Sequence, residues 1–196
     1  MEPPPILRDI PTSFDTKRLT LRCPAPGDGA EVNAAIRETW DDLAEWMPWA
    51  IRRPAIEETE EFVRRAQVKY LEREELTLFL FLKGTTTFVG GCSLHRIDWK
   101  VPSFDLGYWC RRSMQRNGYV TEATDALADF AVRELGARRL TIRCDGENAR
   151  SAAIPRRIGF ALESRQRNAR RHHLTGELRD TLVFARVIPD VPAAGR

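Results

Sequence analysis

Apolar and polar positions along the chain switch between a period of two and a period near 3.6, and those switches mark its elements. Lys17-Arg18-Leu19-Thr20-Leu21-Arg22 alternates as a short strand, stopped by Pro24-Ala25-Pro26-Gly27-Asp28. A helix is expected to open near Asp28. Over 57–71, Phe62, Ala66 and Tyr70 fall four apart among charges, which predicts an amphipathic helix with one buried face. The runs 76–82, 87–94 and 104–110 read as a three-strand antiparallel meander. From Thr121 the period lengthens again: Ala123, Leu127, Phe130, Ala131 and Leu135 form one helical stripe, and Gly136 can close it with a left-handed cap. Leu140, Ile142 and Cys144 alternate as another strand, a short helix follows Asn148, and two strand-like runs flank Thr175-Gly176 as a terminal hairpin.

This order predicts one α/β domain over residues 12–189, with flexible tails at 1–11 and 190–196. A length of 196 residues suits a single domain. Net charge is +3 from 31 basic and 28 acidic residues, so the surface is densely mixed in sign and not a polycationic nucleic-acid arm. Cys23, Cys92, Cys110 and Cys144 lack the CxxC spacing of metal or redox sites, no signal peptide opens the chain, and no apolar run spans a membrane. These features point to a reduced cytoplasm.

The chemistry concentrates in Gly107-Tyr108-Trp109-Cys110-Arg111-Arg112-Ser113-Met114-Gln115-Arg116-Asn117-Gly118-Tyr119-Val120-Thr121, where a strand runs through a polar loop into a helix. The first N–H groups of a helix have no internal partner and make an anion site. Gly118 lets a phosphate approach the backbone. One glycine is too few for a dinucleotide fingerprint, and no Gly-Lys-Ser/Thr makes it a P-loop.

At these residues the chain resembles the GNAT acetyltransferases, whose loop Gln/Arg-x-x-Gly-x-Gly/Ala cradles the pyrophosphate of coenzyme A. Gln115 and Gly118 match, and Val120 stands at the glycine or alanine position. Gly107-Tyr108-Trp109 and Thr121-Glu122-Ala123 resemble the RimJ/RimL branch, the N-terminal acetyltransferases of ribosomal proteins. So do Thr16-Lys17-Arg18-Leu19-Thr20-Leu21-Arg22, Trp46-Met47-Pro48-Trp49, Asn148-x-x-Ser151, Gly159-Phe160 and Arg179-Asp180-Thr181, which spread the likeness over 16–188.

The resemblance implies a mixed, mostly antiparallel sheet splayed between its fourth and fifth strands, helices on both faces, and acetyl-coenzyme A as cofactor. It implies that Trp109, Cys110 and Arg111 offer backbone groups to pantetheine, that Gln115, Arg116, Asn117, Gly118, Tyr119, Val120 and Thr121 hold the phosphates, and that Asn148 bonds the pantetheine chain. Ser151 matches the serine that assists the leaving sulfur in this branch. Its alternative is a helix N-cap. None of the three tyrosines, Tyr70, Tyr108 and Tyr119, lies in the helix where many GNAT enzymes carry their acid. The side chains of Tyr108 and Trp109 read equally as core. Asp105 and His95 are the candidate bases, and Trp46 and Trp49 are candidates to line the acceptor cleft.

The expected reaction is direct transfer of acetyl to a primary amine, an α-amino group such as a protein N-terminus being favoured. A small amine as acceptor and a catalytically silent acyl-coenzyme A sensor stay open, as does a homodimer. Arg165, Arg167, Arg170, Arg171, His172 and His173 form a basic run, a solvated face or a contact for RNA or an acidic acceptor. Nucleic acid is disfavoured, because no aromatic residues are interleaved with the arginines.

Overall fold

A computed structural model describes residues 4–189. Eight strands form one sheet in the order β1-β2-β3-β4-β5-β6-β8-β7. They are β1 (Ser13–Asp15), β2 (Leu19–Arg22), β3 (Leu76–Leu82), β4 (Phe88–Asp98), β5 (Ser103–Cys110), β6 (Arg139–Asp145), β7 (Ala161–Arg171) and β8 (Leu178–Val187). All neighbours are antiparallel except β5 and β6. The helices are α1 (Gly29–Glu38), α2 (Trp40–Trp46), α3 (Ile56–Glu72), α4 (Tyr119–Leu135) and α5 (Ala149–Arg157).

The alternation of β3 explains the layering. Leu76, Leu78 and Leu80 face the larger core with Ala123, Leu127 and Phe130 of α4, while Phe79 and Phe81 face the other with Val32 and Ile36 of α1 and Val63 of α3. An all-apolar strand is what a sheet covered on both faces requires. Gly136 closes α4 at φ 71°, as the stripe before it predicts.

Three expectations change. The three-residue β1 precedes the strand read from alternation, so the splay lies between β5 and β6 by this count. Of the α3 stripe, Ala66 and Tyr70 are buried as expected, but Phe62 is 51% exposed and Thr59 and Val63 complete the buried face instead. The segment before Thr12, read as a tail, packs on the domain over its described part: Ile10 is buried, and the Tyr70 hydroxyl donates to the Pro11 carbonyl at 2.6 Å. Residues 1–3 and 190–196 lie outside the described residues.

The parting of β5 and β6 positions the site. Their parallel ladder runs from Ser103–Arg139 to Leu106–Ile142 and stops, whereas β4 stays paired to β5 as far as Gly90–Cys110 and β8 stays paired to β6 as far as Thr181–Asp145. Gly107–Cys110 therefore shows an open edge toward β6. Behind that edge Gly90 is indispensable, because a Cβ there would stand 2.3 Å from the Trp109 carbonyl oxygen.

Gly90→Ala must push the Trp109 backbone aside. The expected cost is about 1–3 kcal/mol, as for other overpacked sites, read as a lower urea midpoint at unchanged slope. An unchanged midpoint contradicts the close approach.

Candidate active site

The loop leaving β5 is fastened on its protein side before it reaches α4. Arg111 pairs with Glu38 and Glu31, each at 2.6 Å, Ser113 N donates to Glu38 Oε1 at 2.7 Å, and Arg112 N donates to Thr39 Oγ1 at 2.9 Å. Gln115 spends its side-chain amide on Asp42 at 3.0 Å and its backbone N–H on Arg112. Its side chain thus ties the loop to α2, and the amides that follow it are the ones placed for an anion.

Gly118 is the N-cap of α4 at φ 78°, with no side-chain cap, and the first helical donor is Glu122 N to Gly118 O. Arg116 is also left-handed, at φ 64°. Val120 is buried in the core side of α4, so its isopropyl group is absorbed by packing.

Two motifs far apart in sequence meet here. Arg18 donates to the Asn117 carbonyl at 2.9 Å and to Glu122 at 2.7 Å, and Thr16 Oγ1 donates to Glu122 at 2.6 Å. Burial alone would raise the Glu122 carboxyl, but the bonds from Thr16 and Arg18 outweigh it and hold the group below its ordinary value. The guanidinium of Arg18 also covers the Tyr119 ring at 4.6 Å.

Across the gap, Asp145 shapes the turn from β6 into α5. Its side chain, 1% exposed, accepts from Glu147 N at 2.8 Å and pairs with Arg170. Asn148 Oδ1 accepts from Ser151 N at 2.9 Å, so Asn148 is the cap and Ser151 is not. The Ser151 hydroxyl is thereby released for other partners. Tyr108 of β5 provides one, its hydroxyl lying 3.2 Å from Ser151 Oγ and 3.0 Å from the Ser151 carbonyl. Burial pushes the Cys144 thiol of β6 up, with Ser151 in partial opposition. Ser151 is thus tied to the β5 strand of the gap. The Tyr108 side chain reads equally as core in the sequence, since a hydroxyl partner 43 positions away leaves no local signature.

The candidate bases are on the opposite face. His95 and Asp105 are cross-strand partners, and Ser93 faces Gly107 beside them. Asp105 Oδ2 is held by Arg143 at 3.2 Å and Arg96 at 3.6 Å. His95 has Ser93 Oγ at 3.4 Å, and burial keeps it below its ordinary value despite Asp105 and Glu75 nearby.

Trp109 packs on Phe88 and over Gly91, so its indole is core and its backbone remains on the open edge. Trp46 ends α2 half-buried, and Trp49 just beyond is 51% exposed. Beside that helix end the β7–β8 hairpin is docked: His172 Nε2 lies 2.9 Å from Glu45 O and His173 Nε2 lies 2.7 Å from Ala44 O. Arg165 pairs with Asp180 at 2.6 Å and Arg170 with Asp145, so much of the basic run is consumed inside the protein.

An open strand edge next to an uncapped helix N-terminus is a cradle for an elongated ligand with a phosphate at one end. The acetyltransferase (GNAT) domain family matches residues 18–161. The chain belongs to the GNAT acetyltransferase family. It is 27% identical over 146 residues to the ribosomal-protein-serine acetyltransferase of Escherichia coli (strain K12), covering 73% of this chain and 80% of that protein. The crystal structure of the microcin C7 self-immunity acetyltransferase MccE, in complex with acetyl-CoA and AMP, is similar with a TM-score of 0.80 at 26% identity, over 88% of this chain and 94% of that one. RimL, a ribosomal L7/L12 α-N-protein acetyltransferase in complex with coenzyme A, shares the fold with a TM-score of 0.81 at 24% identity, over 91% and 97%. This GNAT enzyme is an acetyl-coenzyme A-dependent N-acetyltransferase. The cofactor brings an activated acetyl thioester with a thiol leaving group. The open edge Gly107–Cys110 and the α4 amides fit it.

Gly118→Glu puts a carboxylate and a strained left-handed side chain at the mouth of the cradle. The added Cβ meets nothing closer than Arg18 at 3.5 Å, so the fold is expected to survive, with a strain of about 1–2 kcal/mol. Calorimetry should show coenzyme A binding abolished. Unchanged affinity in a folded variant removes the assignment of the α4 amides.

Proposed function

We propose that the enzyme acetylates an α-amino group, the N-terminus of a protein such as a ribosomal protein, in the cytoplasm. The carrying observation is the base side of the cleft: Asp105 is tied to two guanidiniums, and His95 is a half-buried imidazole. An α-amine with pKa near 7.7–8.0 is about one-tenth neutral at pH 7, a lysine amine near 10.4 about one part in a few thousand, a difference of about 3.5 kcal/mol. A site with so mild a base suits the α-amine. The likeness to the ribosomal-protein-serine acetyltransferase supports the same reading.

In this reading the backbone of Trp109, Cys110 and Arg111 aligns the pantetheine arm, and residues Arg116 to Thr121 hold the phosphates. His95, kept neutral by burial, accepts the proton released by the attacking amine. Ser151 Oγ, facing the gap, donates a hydrogen bond to the sulfur as the C–N bond forms and the C–S bond breaks. Trp46 and Trp49 line the entrance for the acceptor. A small amine is the second reading, favoured by the likeness to MccE, whose complex contains AMP.

Two measurements test this. Peptides with free Ser or Ala termini should show higher kcat/KM at pH 7 than the same peptides N-terminally blocked and carrying one internal lysine. Faster acetylation of the blocked lysine peptides sinks the α-amine assignment, and exclusive turnover of small amines selects the second reading. For the base, the sign follows from His95 lying below its ordinary value of 6.5: the imidazole is neutral at pH 7 and becomes protonated, and inactive, as pH falls further. With the amine also protonated there, log kcat/KM should fall with a slope near two in acid. His95→Gln should reduce that slope to one. A slope of two surviving in the variant rules His95 out.

A further inference from the structure

Pro155 lies inside α5, four residues after Ser151. Proline has no N–H to give, so the Ser151 carbonyl is deprived of its helical donor. The replacement comes from another element: the Tyr108 hydroxyl on β5 stands 3.0 Å from that carbonyl and 3.2 Å from Ser151 Oγ. A phenol has one proton and here faces two acceptors. With that proton on the carbonyl, the serine hydroxyl donates to the phenol oxygen. With it on Oγ, the serine's own proton is turned outward.

We propose that Tyr108 is a positioning residue for acetyl transfer: its hydroxyl, drawn to α5 by the carbonyl that Pro155 leaves open, fixes the Ser151 side chain over the gap. By shifting its proton from the carbonyl to Ser151 Oγ, it also frees the serine proton to face the departing sulfur. The inference rests on the reading of Ser151 given above. Burial pushes the Tyr108 phenol well above its ordinary value, with the Ser151 bond in opposition, so it keeps its proton through the working range of pH. The hydroxyl is also firmly aimed, because Tyr108 sits on a strand paired with β4 at Cys92.

Tyr108→Phe keeps the ring and removes the hydroxyl. Single-turnover kcat should fall by about 10- to 100-fold, within the range for losing support of one transition-state donor, while calorimetric affinity for coenzyme A changes by less than about twofold. Ser151→Ala should fall at least as far. The double variant Tyr108→Phe/Ser151→Ala should fall no further than Ser151→Ala alone, since both changes act through one hydroxyl.

A second pair separates positioning from mere structural support. In Tyr108→Phe/Pro155→Ala the new N–H can close the helical bond to the Ser151 carbonyl. The Tm lost by Tyr108→Phe, about 2–4 °C, should then return while kcat stays low. Recovery of kcat together with Tm overturns the proposal, as does an unchanged kcat in Tyr108→Phe beside an impaired Ser151→Ala. Full kcat in Ser151→Ala overturns the serine reading and this inference with it.

Discussion

Backbone N–H and C=O groups in a sheet require partners, and the organisation of this enzyme follows from withholding them along one edge of β5. The gap is not a frayed end. β4 grips β5 to its last residue and β8 grips β6 to Asp145, so two rigid arms diverge from the Leu106–Ile142 pair. Such a gap is stable only when something else takes its polar groups. The gap and its ligand are one design, and α5, which follows β6, is tied back to β5 through Ser151 and Tyr108.

The loop before α4 is held by another means. A helix N-terminus attracts anions, and the acidic residue of the first turn, Glu122, is held in the grip of Thr16 and Arg18. Its charge is thereby matched, and Arg18 reaches on to the Asn117 carbonyl, fixing the loop from below. The opposite side of the loop hangs on Glu38 of α1. Loop order thus derives from charge-assisted bonds to elements of the N-terminal third, which suits a segment whose left-handed Arg116 and Gly118 would otherwise be strained or mobile.

Much of this was legible in the sequence where one periodicity or one turn residue decides. The β3–β5 meander, the α4 stripe with its glycine cap and the terminal hairpin all follow from local patterns. In the α3 stripe Ala66 and Tyr70 were legible, but Phe62 is large and apolar yet exposed, while Thr59, a polar residue, is buried with its bond to Asn33. In the site, Ser151 and Gly118 were visible as a motif, but their settings were not. The Tyr108 hydroxyl reaches Ser151 only because the strands part, and the pairing of Thr16 and Arg18 with Glu122 spans more than a hundred residues. Neither has a local signature. The two halves of the base pair lie ten residues apart on adjacent strands, and only the register makes them neighbours.

The docking of His172 and His173 on the last carbonyls of α2 joins segments 127 and 129 residues apart. During synthesis, α2 leaves the ribosome long before the hairpin that braces it. Loop closure over such a span is slow compared with local folding, so the end of α2 that bears Trp46 gains its brace only when the β7–β8 hairpin has formed. A chain interrupted before the hairpin would have made the loop before α4, and Ser151 too, yet would lack both β8, the antiparallel partner of β6, and the brace on α2. The architecture thus makes the β6 arm of the gap and the end of α2 depend on one and the same hairpin.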